Sequence, residues 1–272
     1  MVKMKEIFQT LKTTQNFWGI LSFINPEKKV KVIFRNGVEA ELNLQEYQQV
    51  LRILSKGYSI EVVDKFLCFK KDGAKIAGPL SLLNVLSEGL EEVYSLDCRN
   101  KIVLDVGGFI GDSAVFFSAA GAKKVIIYEP VVANHKFIKL NLSLNGINAE
   151  LHDEGIGETD GCTMINYDKI DVCFGLSNLG SNKMQIKIRS IRSVIEESCA
   201  DLAKLDCEGA ESALVSVPSE ILRKIEVYII EMHTPNIKKE LVNKFRASGF
   251  VIVKEIPSVD NEECSTVFFS RI

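Results

Sequence analysis

A glycine-rich loop between a predicted buried strand and a predicted helix constrains the fold of this chain more than any other feature. The strand is KIVLDV (residues 101–106), a continuous apolar run rich in β-branched residues, as in strands buried on both faces of a sheet. The loop GGFIGDS follows directly, and Gly107, Gly108 and Gly111 allow a tight turn and a close approach of the backbone to a ligand. This order of elements predicts an α/β domain with a ligand at the loop.

Residues 100–272 repeat the order strand, loop, helix. Further strands are predicted in KKVIIYEP, NAELHDEGI, DLAKLDCEGA and VYIIEMH, and further helices in VVANHKFIKLNLSLNGI and KKELVNKFRASGF. FVIVKEI and CSTVFFSRI are two strands joined by a short polar segment, which indicates a closing hairpin at the C-terminal edge. The pattern predicts a mostly parallel α/β sheet.

Residues 1–99 have a different pattern and are predicted to form an N-terminal α+β extension. Apolar residues alternate with other residues on both sides of Asn36-Gly37 in KVKVIFRNGVEAELNL, which indicates a β-hairpin. A second hairpin is indicated around Asp72-Gly73 in EVVDKFLCFKKDGAKI. LQEYQQVLRIL is a predicted helix. The extension has no chemical motif, so we expect a cap, an oligomer contact, or support on the substrate side.

The carboxylates of the glycine loop indicate which ligand it binds. A dinucleotide site needs G-x-G-x-x-G, but Asp105 stands where the first glycine would be, and Asp112 adds a second carboxylate. Two carboxylates would repel a pyrophosphate, which disfavours an NAD-dependent oxidoreductase, and would suit the ammonium and sulfonium of S-adenosylmethionine. Glu129, at the end of the next strand, is placed to accept ribose hydroxyls of either cofactor. A turn in which Asp112 or Ser113 merely caps the helix is the structural alternative.

The segment DVGGFIGDSAVFFSAAGAKKVIIYEPVVANHKFIKLNLSLNG resembles the cofactor half of class I S-adenosylmethionine-dependent methyltransferases of the FkbM family. The resemblance continues in GIGETDG, KLDCEGAE and IIEMH, in the order of the family, and covers residues from about 100 to 272. It implies a Rossmann-like seven-stranded sheet whose last strand is antiparallel. It also implies O-methylation of a hydroxyl on a sugar or small molecule.

The same resemblance implies a set of cofactor-binding residues. The glycine loop would line the methionine part, Glu129 would hold the ribose, and two carboxylates after the third strand would lie near the adenine. The residues are Asp105, Gly107, Gly108, Gly111, Asp112, Ser113, Glu129, Asp153 and Glu154.

A second cluster of polar residues follows the fourth and fifth predicted strands. Asp206 and Glu208 lie in LDCEG, and Glu231 and His233 lie in EMH; strand ends of an open α/β sheet converge on the ligand crevice. His233 has the best unperturbed pKa for a base that removes a hydroxyl proton, and Asp206 could act as base or orient it. Alternatively, the four side chains could hold a divalent metal, Mg²⁺ or Mn²⁺ rather than Zn²⁺. Glu208 as a helix cap and His233 as a structural histidine are the simpler interpretations.

Composition limits the class of protein and its partners. The chain has 33 basic and 36 acidic side chains and a net charge of −3, so nucleic-acid binding loses its main electrostatic support. The sequence contains no apolar run of 18 residues, so no membrane span is predicted, and the N-terminus lacks the apolar core of a signal peptide. The seven cysteines are scattered, which disfavours a disulfide framework and a zinc site. We expect a cytoplasmic protein.

Besides the NAD-dependent oxidoreductase, two rival functions stay open. The same fold could methylate an amino group or a nucleic acid, although the sequence has LDCE where many such enzymes have an N-P-P-Y-like segment. A non-catalytic cofactor-binding or scaffold protein could also keep this fold. We expect a small-molecule or carbohydrate acceptor, and a homodimer is plausible on general grounds.

Overall fold

The computed structural model describes residues 12–16, 27–87, 94, 96–167, 182–257 and 264–272. The chain divides into two compact units, Met1–Leu90 and Glu91–Ile272. Each unit is described by itself.

In its described residues, the first unit contains two antiparallel sheets and the α-helix α1 (Leu44–Ser55). The hairpin β1–β2 and the helix α1 confirm the predictions for this region, and the NG and DG turns lie where expected. Asn43 and Glu46 form a reciprocal capping box that fixes the start of α1. One strand, β3, was not predicted separately, and it pairs with β4 to complete a three-stranded sheet. The elements are β1 (Val30–Ile33), β2 (Glu39–Leu42), α1 (Leu44–Ser55), β3 (Ser59–Val63), β4 (Phe66–Lys71), β5 (Ala74–Gly78) and a 3₁₀ segment (Leu80–Ser87).

The second unit is built on a seven-stranded sheet with the order β14-β15-β13-β12-β6-β7-β8. Strand β15 runs antiparallel to both of its neighbours, and β13, β12, β6, β7 and β8 pair in parallel. This is the Rossmann-like sheet with an antiparallel last strand that the sequence predicts. The strands are β6 (Ile102–Val106), β7 (Lys124–Tyr128), β8 (Glu150–His152), β12 (Leu202–Leu205), β13 (Val227–Met232), β14 (Phe250–Pro257) and β15 (Ser265–Arg271).

Helices connect these strands and bury apolar faces against the sheet. The core under α6 is aromatic: Phe245 packs edge-on to Tyr228 and Phe250 and stacks on Phe269. Within the described ranges, no helix is long and apolar enough to cross a membrane. The helices are α2 (Asp112–Ala119), α3 (His135–Leu144), α4 (Ile191–Ser198), α5 (Ser219–Leu222) and α6 (Pro235–Ala247), with 3₁₀ segments at Val132–Asn134 and Ala210–Val215.

A small second sheet in this unit was only partly predicted. The sequence indicates one strand in NAELHDEGI, but the structure divides it at Asp153 into β8 and β9 (Glu154–Gly157), which belong to different sheets. Strand β9 pairs in parallel with β11 (Asn182–Ser190), and β11 pairs antiparallel with β10 (Gly161–Tyr167). Strand β11 ends at Ser190, where helix α4 begins with Ile191, and β10 has no counterpart among the predicted strands.

The glycine loop packs closely against the protein itself. Gly107 has φ +80°, and a Cβ there would overlap the backbone carbonyl of Asp206 at the end of β12. A Cβ on Gly108 would overlap the side chain of Ile127 in β7. Gly111 has φ +83° and would place a Cβ 3.2 Å from the Cα of Ile138. These glycines are therefore required for contacts of the loop with β12, β7 and α3.

The variant Gly107→Ala tests this explanation. It combines a left-handed backbone with a clash against main chain, so we expect a loss of about 2 kcal/mol or more in unfolding free energy, measured by urea denaturation. Gly161→Ala is the matched control, because Gly161 has open space around it and an ordinary φ. Equal stability of the two variants would contradict the explanation.

Candidate functional site

Polar side chains gather where the central parallel strands end. Asp105 lies in β6, Glu129 directly follows β7, Asp206 follows β12, and Glu231 and His233 lie at the end of β13. Because β7, β6, β12 and β13 are consecutive parallel neighbours, these ends share one edge of the sheet. The structure thus brings together the two clusters that the sequence predicts.

Lys204, a residue that the sequence analysis did not single out, lies between these clusters. Its side chain is 5% exposed, and its Nζ lies 3.4 Å from Asp105 Oδ1 and 3.6 Å from Asp206 Oδ2. Nζ also donates a 2.6 Å hydrogen bond to the carbonyl of Gly107. The signal for it was a lone lysine inside the buried strand Leu202–Leu205, because a lysine there must have an internal partner.

The carboxylates around Lys204 outnumber it. Burial raises the pKa of Asp105, although Lys204 and Ser113 oppose the shift. Burial also raises the pKa of Asp112 to about 7, against the charge of Lys204. Burial would lower the pKa of Lys204, but Asp105 and Asp206 raise it well above its usual range. One buried ammonium is therefore shared among several acids, and the raised pKa values of Asp105 and Asp112 indicate that it does not fully compensate for the burial of their carboxylates.

Asp112 and Ser113 do not cap helix α2. The N-cap is Gly111, which has no side chain, so neither residue occupies the N-cap position and the capping alternative was wrong. Ser113 Oγ instead donates a 2.6 Å hydrogen bond to Asp105 Oδ2, while Asp105 Oδ1 is buried without a hydrogen-bond partner. Asp105 Oδ1 has the ammonium of Lys204 at 3.4 Å as its ion-pair partner but no aligned hydrogen bond, so it can still accept from a positively charged donor of a ligand.

Both carboxylate oxygens of Glu129 already accept hydrogen bonds from the protein, which the prediction of ribose binding did not take into account. Its Oε2 accepts the backbone N–H of Phe109 at 2.8 Å, and its Oε1 accepts the N–H of Val131 at 2.8 Å and Asn134 Nδ2 at 3.4 Å. Burial raises the pKa of Glu129 to about 7 in spite of these bonds. Phe109 has φ +46°, and Glu129 holds it there. Glu129 therefore shapes the glycine loop, and its contact with a ribose stays a prediction.

The predicted adenine residues lie at the break between β8 and β9. Asp153 is exposed and forms a 2.8 Å ion pair with Lys187, whose hydrogen bond lowers the pKa of the Asp153 carboxyl. Glu154 begins β9 and is half-buried. Neither position has a contact that assigns it to a ligand, so both stay predictions.

His233 is held from behind by a second residue outside the predicted set. Its Nδ1 lies 2.8 Å from Glu211 Oε1, and Glu211 is fully buried. Its Nε2 lies 3.7 Å from Asp206 Oδ1 and 3.5 Å from Glu208 Oε2. Burial would lower the pKa of His233, but the hydrogen bond and charge of Glu211 raise it to about 9, helped by Asp206 and Glu208.

Three side chains of this cluster also have the arrangement of a cation site. Asp206, Glu231 and His233 each offer one ligand atom, and these atoms all lie within 4.8 Å of one another. Burial, and to a smaller extent the charge of Asp206, raise the pKa of Glu231 to about 8. Glu208 lies beside the group rather than in it. A carboxylate-rich donor set of this kind suits Mg²⁺ or Mn²⁺.

The loop after β12 departs from ordinary backbone geometry. Glu208 has φ +55° and Gly209 φ +103°, and Gly209, not Glu208, precedes the 3₁₀ segment as its cap. The simple interpretation of Glu208 as a helix cap was therefore wrong. Burial, and next the charge of Glu211, raise the pKa of the Cys207 thiol well above its usual range, so this cysteine is a poor nucleophile.

Comparisons with known proteins add the following. No protein-family model and no curated protein matches this chain. Among solved structures, the ribosomal protein L11 methylase of Lactobacillus delbrueckii subsp. bulgaricus is 14% identical, with a TM-score of 0.41 over 71% of this chain and 80% of that one. An rRNA methylase of Streptococcus thermophilus is 14% identical, with a TM-score of 0.42 over 66% of this chain and 92% of that one.

A third similar structure is the precorrin-6y C5,15-methyltransferase of Geobacter metallireducens GS-15. It is 9% identical, with a TM-score of 0.41 over 66% of this chain and 84% of that one. These identities and TM-scores are too low to indicate a shared activity. The description of the site therefore rests on the sheet order and the side-chain geometry of this chain.

Removal of the buried positive charge of Lys204 should destabilise the folded protein. In Lys204→Met, Asp105 keeps a buried carboxyl without its ion-pair partner, so we expect a loss of about 3–5 kcal/mol in unfolding free energy by urea denaturation. In the double variant Lys204→Met/Asp105→Asn the unpaired charge is gone, and much of the stability should return. If the single variant is as stable as the wild type, Lys204 does not neutralise this site.

Proposed function

We propose that this protein is an S-adenosylmethionine-dependent methyltransferase of the FkbM type, which methylates a hydroxyl of a sugar or small molecule. The observation that carries the proposal is the excess of carboxylates at the carboxyl edge of the sheet. Asp105, Asp112 and Asp206 lie around Lys204, the one lysine or arginine in the described part of the chain within ion-pair distance of any of them. A ligand with ammonium and sulfonium groups relieves this imbalance, whereas a pyrophosphate would worsen it.

The residues present fit such a cofactor. Asp105 has an oxygen that pairs with Lys204 but accepts no hydrogen bond, Asp112 is buried at the first turn of α2, and both adjoin the glycine loop. Asp105 and Asp112 would hold the methionine part, and Glu129 would face the ribose from the end of β7. When bound, S-adenosylmethionine supplies a methyl group on a sulfonium, which a nucleophilic oxygen can displace in line.

His233 and Asp206 are the residues that would handle the hydroxyl of the acceptor. His233 presents Nε2 toward Asp206 and Glu208, with its side chain 17% exposed, so this nitrogen can meet a substrate at the strand ends. In the proposed reaction, Asp206 orients the hydroxyl and His233 Nε2 takes its proton. Because its carboxylate neighbours raise the pKa of His233 to about 9, the imidazole is mostly protonated at neutral pH, and the neutral fraction that can take a proton rises as pH passes through that value.

A divalent cation is the second candidate for the group that activates the hydroxyl. It is favoured by the donor set of Asp206, Glu231 and His233, whose ligand atoms lie within 4.8 Å of one another. A bound Mg²⁺ or Mn²⁺ would lower the pKa of the hydroxyl, and the three side chains would hold it. Binding of Mn²⁺ alone to the wild type, lost in Glu231→Gln, would support this candidate over the histidine base.

Calorimetric titration of the whole chain with S-adenosylmethionine, S-adenosylhomocysteine and NAD tests the proposal. We expect both adenosyl compounds to bind in the micromolar range, NAD to bind far more weakly, and the affinity of the adenosyl compounds to fall at least about tenfold in Asp112→Asn. The matched control is Glu226→Gln, which removes an exposed carboxylate paired with Lys101 and should leave binding unchanged.

Preferential binding of NAD would favour the oxidoreductase alternative instead. No binding of any of the three compounds to the folded protein would contradict the methyltransferase proposal and favour a scaffold role on the same fold.

A further inference from the structure

Glu211 joins the ends of two strands, although no sequence pattern assigns it a role. It lies in the 3₁₀ segment Ala210–Val215, and its side chain is fully buried. In the described part of the chain, its only ion-pair partner is His233. A buried carboxylate with no lysine or arginine beside it must satisfy its oxygens by hydrogen bonds.

The hydrogen bonds of Glu211 all come from the two strand-end segments of the site. Oε1 accepts from Nδ1 of His233 at 2.8 Å and from its backbone N–H at 3.4 Å. Oε2 accepts from the backbone N–H of Gly209 at 2.9 Å and from the thiol of Cys207 at 3.5 Å. One side chain therefore holds both the loop that follows β12 and the residue that follows β13.

This arrangement fixes the imidazole ring of His233. Because Glu211 accepts from Nδ1, that nitrogen carries a proton, and Nε2 is the nitrogen left to face Asp206 and Glu208. A ring rotated by half a turn about its Cβ–Cγ bond would lose the 2.8 Å bond and leave Glu211 buried without its closest donor. The ring orientation is thus set from behind.

The same side chain also supports the strained turn after Asp206. Glu208 and Gly209 both have positive φ, and the N–H of Gly209 would lose its bond without Glu211. A non-glycine residue such as Glu208 persists in this conformation only when its surroundings hold it there. Glu211 therefore constrains the backbone on one side of the site and a side chain on the other.

We propose that Glu211 is the positioning residue of this site. It sets the orientation of His233 and the turn after Asp206, and so the geometry between the two residues that handle the acceptor hydroxyl. The proposal deepens the methyltransferase function and rests on it for its catalytic meaning. The orientation of the ring is a separate physical property, and it can be measured without an acceptor or a cofactor.

The chain offers a matched control for the pair. His152 Nε2 and Glu150 Oε1 also lie 2.8 Å apart, but the Glu150 side chain is 45% exposed, whereas Glu211 is fully buried. The chain has three histidines, so their ring nitrogens can be assigned one by one with single His→Gln variants. A bond of equal length in solvent should hold its histidine much less firmly.

The experiment is ¹⁵N NMR of the whole chain labelled at histidine, prepared with a chelator so that no metal occupies the ring nitrogens. In the wild type we expect His233 to carry a proton on Nδ1 that exchanges slowly with water and resonates far downfield. In Glu211→Gln we expect this resonance to be lost. The carboxylate accepts from His233 Nδ1 with one oxygen and from the N–H of Gly209 with the other, whereas a glutamine amide has only one oxygen that accepts. In Glu150→Gln we expect the resonance to be unchanged.

Two results would overturn the proposal: an unprotonated Nδ1 of His233 in the wild type, or the same downfield resonance in Glu211→Gln. The first is read from the wild type alone, so it is decisive even if the variant fails to fold. Titration of the same samples with S-adenosylhomocysteine separates the two proposals. Absence of binding to the wild type contradicts the methyltransferase function, whereas the NMR result bears only on Glu211.

Discussion

The buried ion pair between Lys204 and Asp105 is the interaction on which the arrangement of the site depends. The two residues are direct register partners on neighbouring parallel strands, β12 and β6, and both side chains are almost fully buried. A shift of register by one residue would turn one of these charges to the other face of the sheet and leave both unpaired. The pairing therefore fixes β12 against β6, and with it the position of Asp206.

The glycine loop follows from the same constraint. Its backbone passes so close to the end of β12 that only glycine is accommodated at position 107, beside the carbonyl of Asp206, while Lys204 donates to the carbonyl of Gly107. From the other side, Glu129 holds the N–H of Phe109. The loop is thus shaped by the protein before any ligand arrives, and the energy of ordering it does not have to come from binding.

Much of the fold could be predicted from local sequence, because the signals were local. Buried strands such as 102–106 appear as continuous β-branched runs, and the first hairpin is marked by Asn36-Gly37. The division of one predicted strand at Asp153 could not be predicted from the sequence, since both halves have a strand pattern and differ only in the strands with which they pair. Pairing between distant segments is not encoded by periodicity.

The site shows the same division. Asp105, Asp206 and His233 could be placed at the sheet edge because strand ends of a parallel sheet converge there. The roles of Lys204 and Glu211 could not be predicted from the sequence, because they depend on contacts with residues of other strands and strand ends. A lysine in a strand and a glutamate near a turn are usually surface residues, and only the contacts made in the fold distinguish these two.

If the methyltransferase proposal is right, the carboxylates at the sheet edge recognise a cationic ligand. The most direct measurement compares, by calorimetry, the affinities of S-adenosylmethionine and 5′-methylthioadenosine, which lacks the sulfonium charge and the amino-acid part, in the wild type and in Asp105→Asn. We expect the wild type to bind S-adenosylmethionine about tenfold or more tightly than the neutral compound, and the substitution to reduce this preference. Equal affinity of the two compounds for the wild type would contradict the proposal.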